Sequence, residues 1–143
     1  MKNIMNSTNM SKGMAREILS GINIKPTAQR IDIARVLLYK DQHLSAEDVM
    51  VRLNENAHDI SRATVYNTLN LFVDKGLVRR VIIDASKIYY DSKITPHSHY
   101  FNEDTGEILD FECDDIQVKP SLNLPKNTYQ EGLDVVVRIK NCK

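Results

Sequence analysis

Ser61-Arg-Ala-Thr-Val-Tyr-Asn-Thr-Leu-Asn-Leu-Phe-Val-Asp-Lys-Gly76 runs directly into Leu77-Val-Arg-Arg-Val-Ile-Ile-Asp-Ala-Ser-Lys-Ile-Tyr-Tyr90. Ser61 can cap a helix, with Ile60 and Val65 as the hydrophobic staple around it. Val65, Leu69, Phe72 and Val73 then recur at i, i+4, i+7 and i+8 as one apolar stripe, and Gly76 stops the helix. The β-branched run Leu77 to Ile83, the turn Asp84-Ala85-Ser86 and the run Lys87 to Tyr90 read as a β-hairpin. A helix feeding a hairpin in this way is the second half of a winged helix-turn-helix.

The preceding segments supply the first half. Ser45 begins another helix, with Asp48 completing a variant capping box, Leu44 and Val49 as the staple, and Val49, Met50 and Leu53 on its apolar side. Only Glu55 to Ile60 joins it to the helix at Ser61, so the two form a closely linked pair. Thr27 caps an earlier helix with Ile31, Ala34 and Leu38 at helical spacing, and Lys12 to Leu19 forms a first one that stops at Ser20-Gly21. In such a motif the second helix of the pair enters the major groove.

Downstream the signals change to short strands. Ser98 to Asn102 and Glu107 to Glu112 flank a turn at Glu103 to Gly106, Pro120 and Pro125 interrupt the next stretch, and Leu133 to Ile139 is a strongly apolar last strand. The expected division is a DNA-binding domain over residues 1–92, a hinge over 93–96 and a second domain over 97–143. A few strands with no covering helix bury little surface alone, so the second domain is expected to pair with its symmetry mate in a homodimer.

Composition sets the outer limits. The 143 residues are 42% apolar and 27% charged, with 19 Lys/Arg against 19 Asp/Glu. A zero balance argues at first against nucleic acid, but it hides a gradient. Residues 1–92 hold 13 basic against 10 acidic side chains, a net of +3, and residues 93–143 hold 6 against 9, a net of −3. Cys113 and Cys142 are too few for a disulfide scaffold, or for a Cys₄ or Cys₃His zinc site within one chain. No apolar run reaches the ~18 residues that would span a bilayer. The polar segment Met1 to Lys12 has no signal-peptide core, so a cytoplasmic location and no membrane partner are expected.

On the helix after Ser61, the side away from the stripe carries Arg62, Thr64, Tyr66, Asn67 and Asn70. Arg can pair bidentately with guanine and Asn with adenine, and Tyr can contact phosphate or a thymine methyl. Lys25, Gln29 and Arg30 flank the helix at Thr27 and could hold phosphates, and Arg79, Arg80 and Lys87 charge the wing. The same pattern also describes a merely solvated helix face; the helix pair and hairpin together favour double-stranded DNA.

A second constellation is histidine and carboxylate. His97 and His99 lie two apart, so on an extended strand they share a face. Asp110 sits in the strand that the turn at Gly106 returns alongside, Asp91 lies just before the hinge, and His43 just before the Ser45 cap. Imidazole with carboxylate suits Fe²⁺, Mn²⁺ or Zn²⁺. Spacing alone does not bring His43 and Asp91 to the others, and a lone histidine such as His58 is ordinarily structural. His97, His99 and Asp110 could equally be the facial triad of a non-haem iron oxygenase, or merely structural groups in a winged-helix interaction module.

Seven segments in order carry a resemblance: Thr27-Ala-Gln-Arg30, His43-Leu-Ser-Ala-Glu-Asp48, Ala63-Thr-Val-Tyr-Asn-Thr-Leu69, Gly76-Leu-Val78, Tyr89-Tyr-Asp91, His97-Ser-His99 and Thr105-Gly-Glu-Ile-Leu-Asp-Phe111. From about residue 12 to the C-terminus the chain resembles the ferric uptake regulator superfamily. The resemblance implies an α+β fold, an N-terminal winged helix-turn-helix followed by a small α/β dimerisation domain. It further implies a dimeric repressor of operator DNA, with a regulatory Fe²⁺ or Mn²⁺ site on His43, Asp91, His97, His99 and Asp110 that Zn²⁺ could also fill.

Three His and two Asp, with Asp where iron regulators typically carry Glu, are similar to the peroxide-stress branch. There, bound Fe²⁺ reacts with hydrogen peroxide and a ligand histidine is oxidised; the matching residues are His43 and His97. Thr95-Pro-His-Ser-His-Tyr-Phe101 and Asp134-Val-Val-Val-Arg-Ile-Lys140 also resemble the iron response regulators, whose haem-binding Cys-Pro element is absent here. Many relatives hold a structural zinc in two Cys-x-x-Cys pairs. Asn102 and Thr105 stand at the first pair and only Cys142 remains near the second, so no structural zinc is expected. Asn67 replaces the Arg frequent after the Val-Tyr pair, which alters the expected operator preference.

Overall fold

Ser11, Thr27, Ser45 and Ser61 each end an extended stretch, and each hydroxyl accepts the backbone N–H three residues on. Four helices therefore start where a short polar side chain satisfies a donor that the helix itself cannot. In the computed structural model, which describes residues 10–112, 123–130 and 132–143, these are α1 (Lys12–Gly21), α2 (Ala28–Leu38), α3 (Ala46–Glu55) and α4 (Arg62–Asp74). The cap of α3 is a full capping box: the Asp48 carboxylate accepts the Ser45 N–H at 2.9 Å, and the Ser45 hydroxyl accepts the Asp48 N–H at 3.1 Å. The chain divides into two compact units, one ending at Ile94 and the other beginning at Thr95.

In the first unit α1, α3 and α4 all pack on α2. A helix with neighbours on several sides cannot keep a single buried stripe. Ile33, Val36 and Leu37 are therefore buried along with Ile31 and Ala34, while Leu38, expected in the core, is only partly covered. On α4 the expected stripe holds, with Val65, Leu69 and Phe72 buried and Val73 packed at the core's margin.

The end of α4 corrects the expected hairpin. Gly76 takes the left-handed conformation (φ 72°), its N–H donates to the Val73 carbonyl at 2.9 Å, and the Leu77 N–H donates to the Phe72 carbonyl at 2.8 Å. That pair of bonds is a Schellman cap. Leu77 and Val78 are spent on it, so the hairpin is β2 (Arg79–Asp84) and β3 (Lys87–Asp91), with an unforeseen strand β1 (His43–Ser45) added to the far edge of β3. All pairings are antiparallel, in the order β1-β3-β2.

The same cap closes α1 and α3, but with residues that carry a Cβ. Asn23 (φ 60°) follows α1, so the left-handed stop lies beyond the expected Ser20-Gly21, and Ala57 (φ 58°) follows α3. The Ala57 and His58 N–H groups donate to the Asn54 and Leu53 carbonyls, both at 3.0 Å. His58 is then fixed by its Nδ1, 3.1 Å from Asp32 Oδ2 on α2. A left-handed alanine stores roughly 1 kcal/mol of backbone strain. Ala57→Gly is therefore expected to stabilise the first unit by about 0.5–1 kcal/mol, read as a higher urea midpoint with unchanged slope; a lower midpoint would refute the strain.

The second unit contains β4 (Ser98–Asn102), β5 (Ile108–Phe111) and β6 (Val136–Ile139), in the order β5-β4-β6. β5 runs antiparallel to β4 after the turn at Gly106 (φ 75°), and β6 runs parallel to β4. Of the expected strand Leu133 to Ile139 only the last four residues pair as β6, and Leu133 is exposed. Tyr100 and Phe111 stack across β4 and β5 with centroids 4.2 Å apart. The strand ends are tied by polar contacts. The Asn102 amide donates to Asn141 Oδ1 at 2.8 Å, its Oδ1 accepts the Asp104 N–H at 2.9 Å, and the Asn141 N–H donates to Asp104 Oδ2 at 2.8 Å. Cys142 is exposed beside this junction, whereas Cys113 and Pro120 lie outside the described residues. Among the described residues, no helix is long and apolar enough to cross a membrane.

Candidate functional site

Three groups of side chains bear on function, each within one unit. The first depends on β1. Its pairing with β3 sets His43 directly opposite Asp91, on the same face of the sheet. His43 Nε2 lies 3.2 Å from Asp91 Oδ2, while Asp91 Oδ1 accepts the Lys93 N–H at 2.9 Å. Both candidate ligands are next to a residue that is itself cross-linked. The Ser92 hydroxyl accepts the Gln42 N–H at 3.0 Å and donates to the Lys40 carbonyl at 2.9 Å. Gln42 is buried; its amide donates to the Val36 and Leu37 carbonyls, and Arg52 donates to its Oε1 at 2.7 Å. The sequence reading missed Gln42 and Ser92, because a side chain that positions its neighbour leaves no periodic trace.

The second group lies on β4 and β5. The register puts His99 opposite Asp110, and His97 precedes the strand by one residue. The His97 and His99 Nε2 atoms stand 3.5 and 3.4 Å from the same Asp110 Oδ1. His97 Nδ1 is 2.6 Å from the Thr95 carbonyl. That contact makes Nδ1 the donor and turns the lone pair of Nε2 toward the carboxylate. Two imidazole nitrogens and a carboxylate oxygen thus converge at separations slightly beyond a good hydrogen bond. Donors that sit about 2.1 Å from one ion at roughly right-angled or tetrahedral positions are themselves about 3.0–3.4 Å apart. The His99–Asp110 and His43–Asp91 separations fall in that range and the His97–Asp110 one, at 3.5 Å, just beyond it, and the donor types suit a first-row divalent ion.

The third group is the outer surface of α4. Val65, Thr68, Leu69 and Phe72 take the buried side, leaving Arg62, Asn67 and Asn70 exposed and Thr64 and Tyr66 half-buried. A groove of about 430 Å³ is lined by Thr27, Gln29, Arg30, Thr64, Asn67, Thr68 and Leu71, so the start of α2 and the face of α4 border one space. Lys25 is exposed, and its carbonyl accepts the Arg30 guanidinium at 3.0 Å. Arg80 on β2 donates to Asn70 Oδ1 at 2.9 Å, and Lys87 on the hairpin lies 5.0 Å over the Tyr89 ring.

Glu47, not singled out from the sequence, also belongs to this surface. Its Oε1 accepts both the Arg62 guanidinium and the Tyr66 hydroxyl at 2.8 Å. The Tyr66 hydrogen bond and, more weakly, the Arg62 charge hold the Glu47 carboxyl below the usual carboxylate range. It is therefore ionised at neutral pH.

Comparison with known proteins gives a consistent set of likenesses. The model of the ferric uptake regulator family matches residues 21–132. The ferric uptake regulation protein of Vibrio parahaemolyticus is 36% identical over 103 residues, covering 71% of this chain and 69% of its own. The peroxide-responsive repressor PerR of Staphylococcus aureus is 34% identical over 93 residues, covering 65% of this chain and 62% of its own. Among solved structures, the ferric uptake regulator of Vibrio cholerae superposes with a TM-score of 0.68 at 26% identity, over 88% of this chain and 98% of that one.

Proposed function

The chain belongs to the ferric uptake regulator family, whose members are metal-responsive transcriptional regulators and not enzymes, and from this we propose that it is a repressor that senses peroxide through its regulatory metal. The observation that carries the metal site is the convergence of His97 and His99 on Asp110, matched by His43 against Asp91. Together these five side chains would hold one Fe²⁺ or Mn²⁺ ion, and Zn²⁺ also suits the set. Three of the five belong to one unit and two to the other, so an ion shared by both sets favours one arrangement of the two units by its differential affinity.

The DNA-binding unit presents Arg62, Thr64, Tyr66, Asn67 and Asn70 to base edges, and Lys25, Gln29 and Arg30 to phosphates. Two copies, paired through their second units, bind the two halves of a double-stranded operator in the cytoplasm. No structural zinc is expected in the second unit, since Asn102 and Thr105 stand at the first Cys pair's places and only Cys142 remains near the second; the Asn102–Asn141 and Asp104 hydrogen bonds tie the described strand ends together.

The peroxide reading rests on the donor set of three His and two Asp, and on the likeness to PerR. Ferrous iron bound there would supply the one-electron chemistry that cleaves the O–O bond; overall, peroxide oxidises the ring of His43 or His97 by two electrons, one oxygen being added to a ring carbon and the other leaving as water. Loss of a ligand nitrogen then frees the operator. The Fur likenesses favour a simpler iron response, and one measurement separates the two. Iron-loaded protein treated with dilute peroxide is expected to gain one oxygen on His43 or His97 by peptide mass spectrometry, and to lose its operator in a parallel gel shift. Unmodified histidines would leave the iron-responsive reading in its place.

A further inference from the structure

A carboxylate in the middle of a surface meant for DNA calls for a reason. Glu47 stands in the first turn of α3, on a wholly different helix from Arg62 and Tyr66, yet its one oxygen Oε1 receives both of them. The two partners are themselves stacked, with the Arg62 guanidinium 5.6 Å from the centre of the Tyr66 ring. Arg62 and Tyr66 lie one helical turn apart on the exposed side of α4, so Glu47 ties down two of the side chains that face the operator.

We propose that Glu47 is a specificity-determining residue, which occupies Arg62 with an internal carboxylate so that only a base edge of suitable geometry, and not an arbitrary phosphate, draws it away. This rests on the DNA-binding reading of α4 given above. The argument is competitive. A guanidinium with no internal partner pairs with whatever phosphate it meets, because phosphates are everywhere along the duplex and bind as charges. An exposed ion pair is weak enough to be exchanged for a bidentate guanine contact, which is directional and charge-assisted. Exchange for a lone phosphate brings no such directional gain and strands the Glu47 carboxylate beside the polyanion, whereas at a base edge the freed carboxylate can accept from a cytosine N4 amino group. Glu47 thus penalises non-specific binding more than specific binding, which is how discrimination is raised without any added contact. Its hydrogen bond to Tyr66 also holds the phenol in place beside the base-reading edge.

The test uses the full-length, Mn²⁺-loaded protein on two duplexes: one of mixed sequence, and one selected from a random pool by the wild type. Glu47→Ala is expected to bind the mixed duplex about three- to tenfold more tightly, with the slope of log affinity against log salt steeper by about 0.9, one further phosphate neutralised. Affinity for the selected duplex should change less, so the ratio between the two falls. Glu47→Gln keeps the acceptor oxygen but not the charge and should show part of the gain, which covers the case in which Glu47→Ala folds poorly. In an Arg62→Ala background most of the gain, and the change in slope, should vanish. Unchanged affinity and slope in both Glu47 variants, or a gain that persists in full without Arg62, would overturn the proposal. A wild type that binds neither duplex would instead remove the DNA-binding reading, and this inference with it.

Discussion

Exchanging His97 for Ala is expected to weaken Mn²⁺ binding by at least about a hundredfold, and to abolish the gain in operator affinity that the ion confers. Losing even an outer partner of a metal ligand typically costs about 10–100-fold in affinity, and His97 is placed as a ligand. Its Nδ1 contact to the Thr95 carbonyl fixes the ring, and its Nε2 faces the same Asp110 oxygen as His99. The imidazole side chain is fully shielded, so the ring is held in one orientation rather than sampling several. Titration calorimetry of the variant and the wild type gives the affinities, and a gel shift with and without Mn²⁺ gives the response. Far-UV circular dichroism of the metal-free variant checks that the fold survives. Asp110→Asn, close in shape but without the charge, should show the same loss. Mn²⁺ affinity within about threefold of wild type in both variants would mean that the ligands lie elsewhere.

The second large effect is on the fold. Phe72 is completely buried and is the largest of the fully buried side chains among the described residues. Its carbonyl accepts the Leu77 N–H in the Schellman cap that turns the chain from α4 into the hairpin. Truncating a buried Phe costs about 3–5 kcal/mol, from lost transfer energy and the cavity left behind. Against a whole-domain stability of roughly 5–15 kcal/mol, Phe72→Ala is expected to leave the first unit marginal and to abolish DNA binding without touching the exposed face of α4. Urea denaturation reads the loss directly, and Phe72→Leu should cost clearly less. A loss below about 1 kcal/mol for Phe72→Ala would mean that the core collapses around the gap or was never closely packed there.

The zero net charge of the chain, which first counts against nucleic acid, resolves into local charge. Arg62 is paired with Glu47 and Arg80 with Asn70, so the guanidinium groups proposed to face DNA already have partners on the same surface. A whole-chain sum cannot register this. What matters to a polyanion is the arrangement of charge on one face, and beside Arg62 on α4 that arrangement includes an acid from α3.

Local signals were strong wherever the structure depends on residues a few positions apart. The Ser and Thr caps and the capping box at Ser45 and Asp48 act over three residues, and the α4 stripe ending at Gly76 acts within one helix. Each of these was legible for that reason at Thr27, Ser45 and Ser61, while the Ser11 cap of α1 was not singled out. Local reasoning also misplaced particular ends. Leu77 and Val78 have strand-like side chains, yet their backbone closes the cap of α4. Leu38 keeps the helical spacing of a core residue, but α2 has neighbours on several sides, so spacing alone does not say which residues are covered.

By itself, then, the sequence determined four helices, three of them with their caps, a linked helix pair followed by a hairpin, and His97 and His99 at one strand with Asp110 on the next. Tertiary structure decided what meets across distance. β1 has no recognisable strand pattern in its three residues and exists because the edge of β3 offers it a partner. Only that pairing sets His43 against Asp91, nearly fifty positions away along the chain. The parallel docking of β6 on β4 and the grip of Glu47 on Arg62 and Tyr66 arise in the same way. Such contacts form once packing has already brought two segments together, and they leave no period or spacing in the residues that make them.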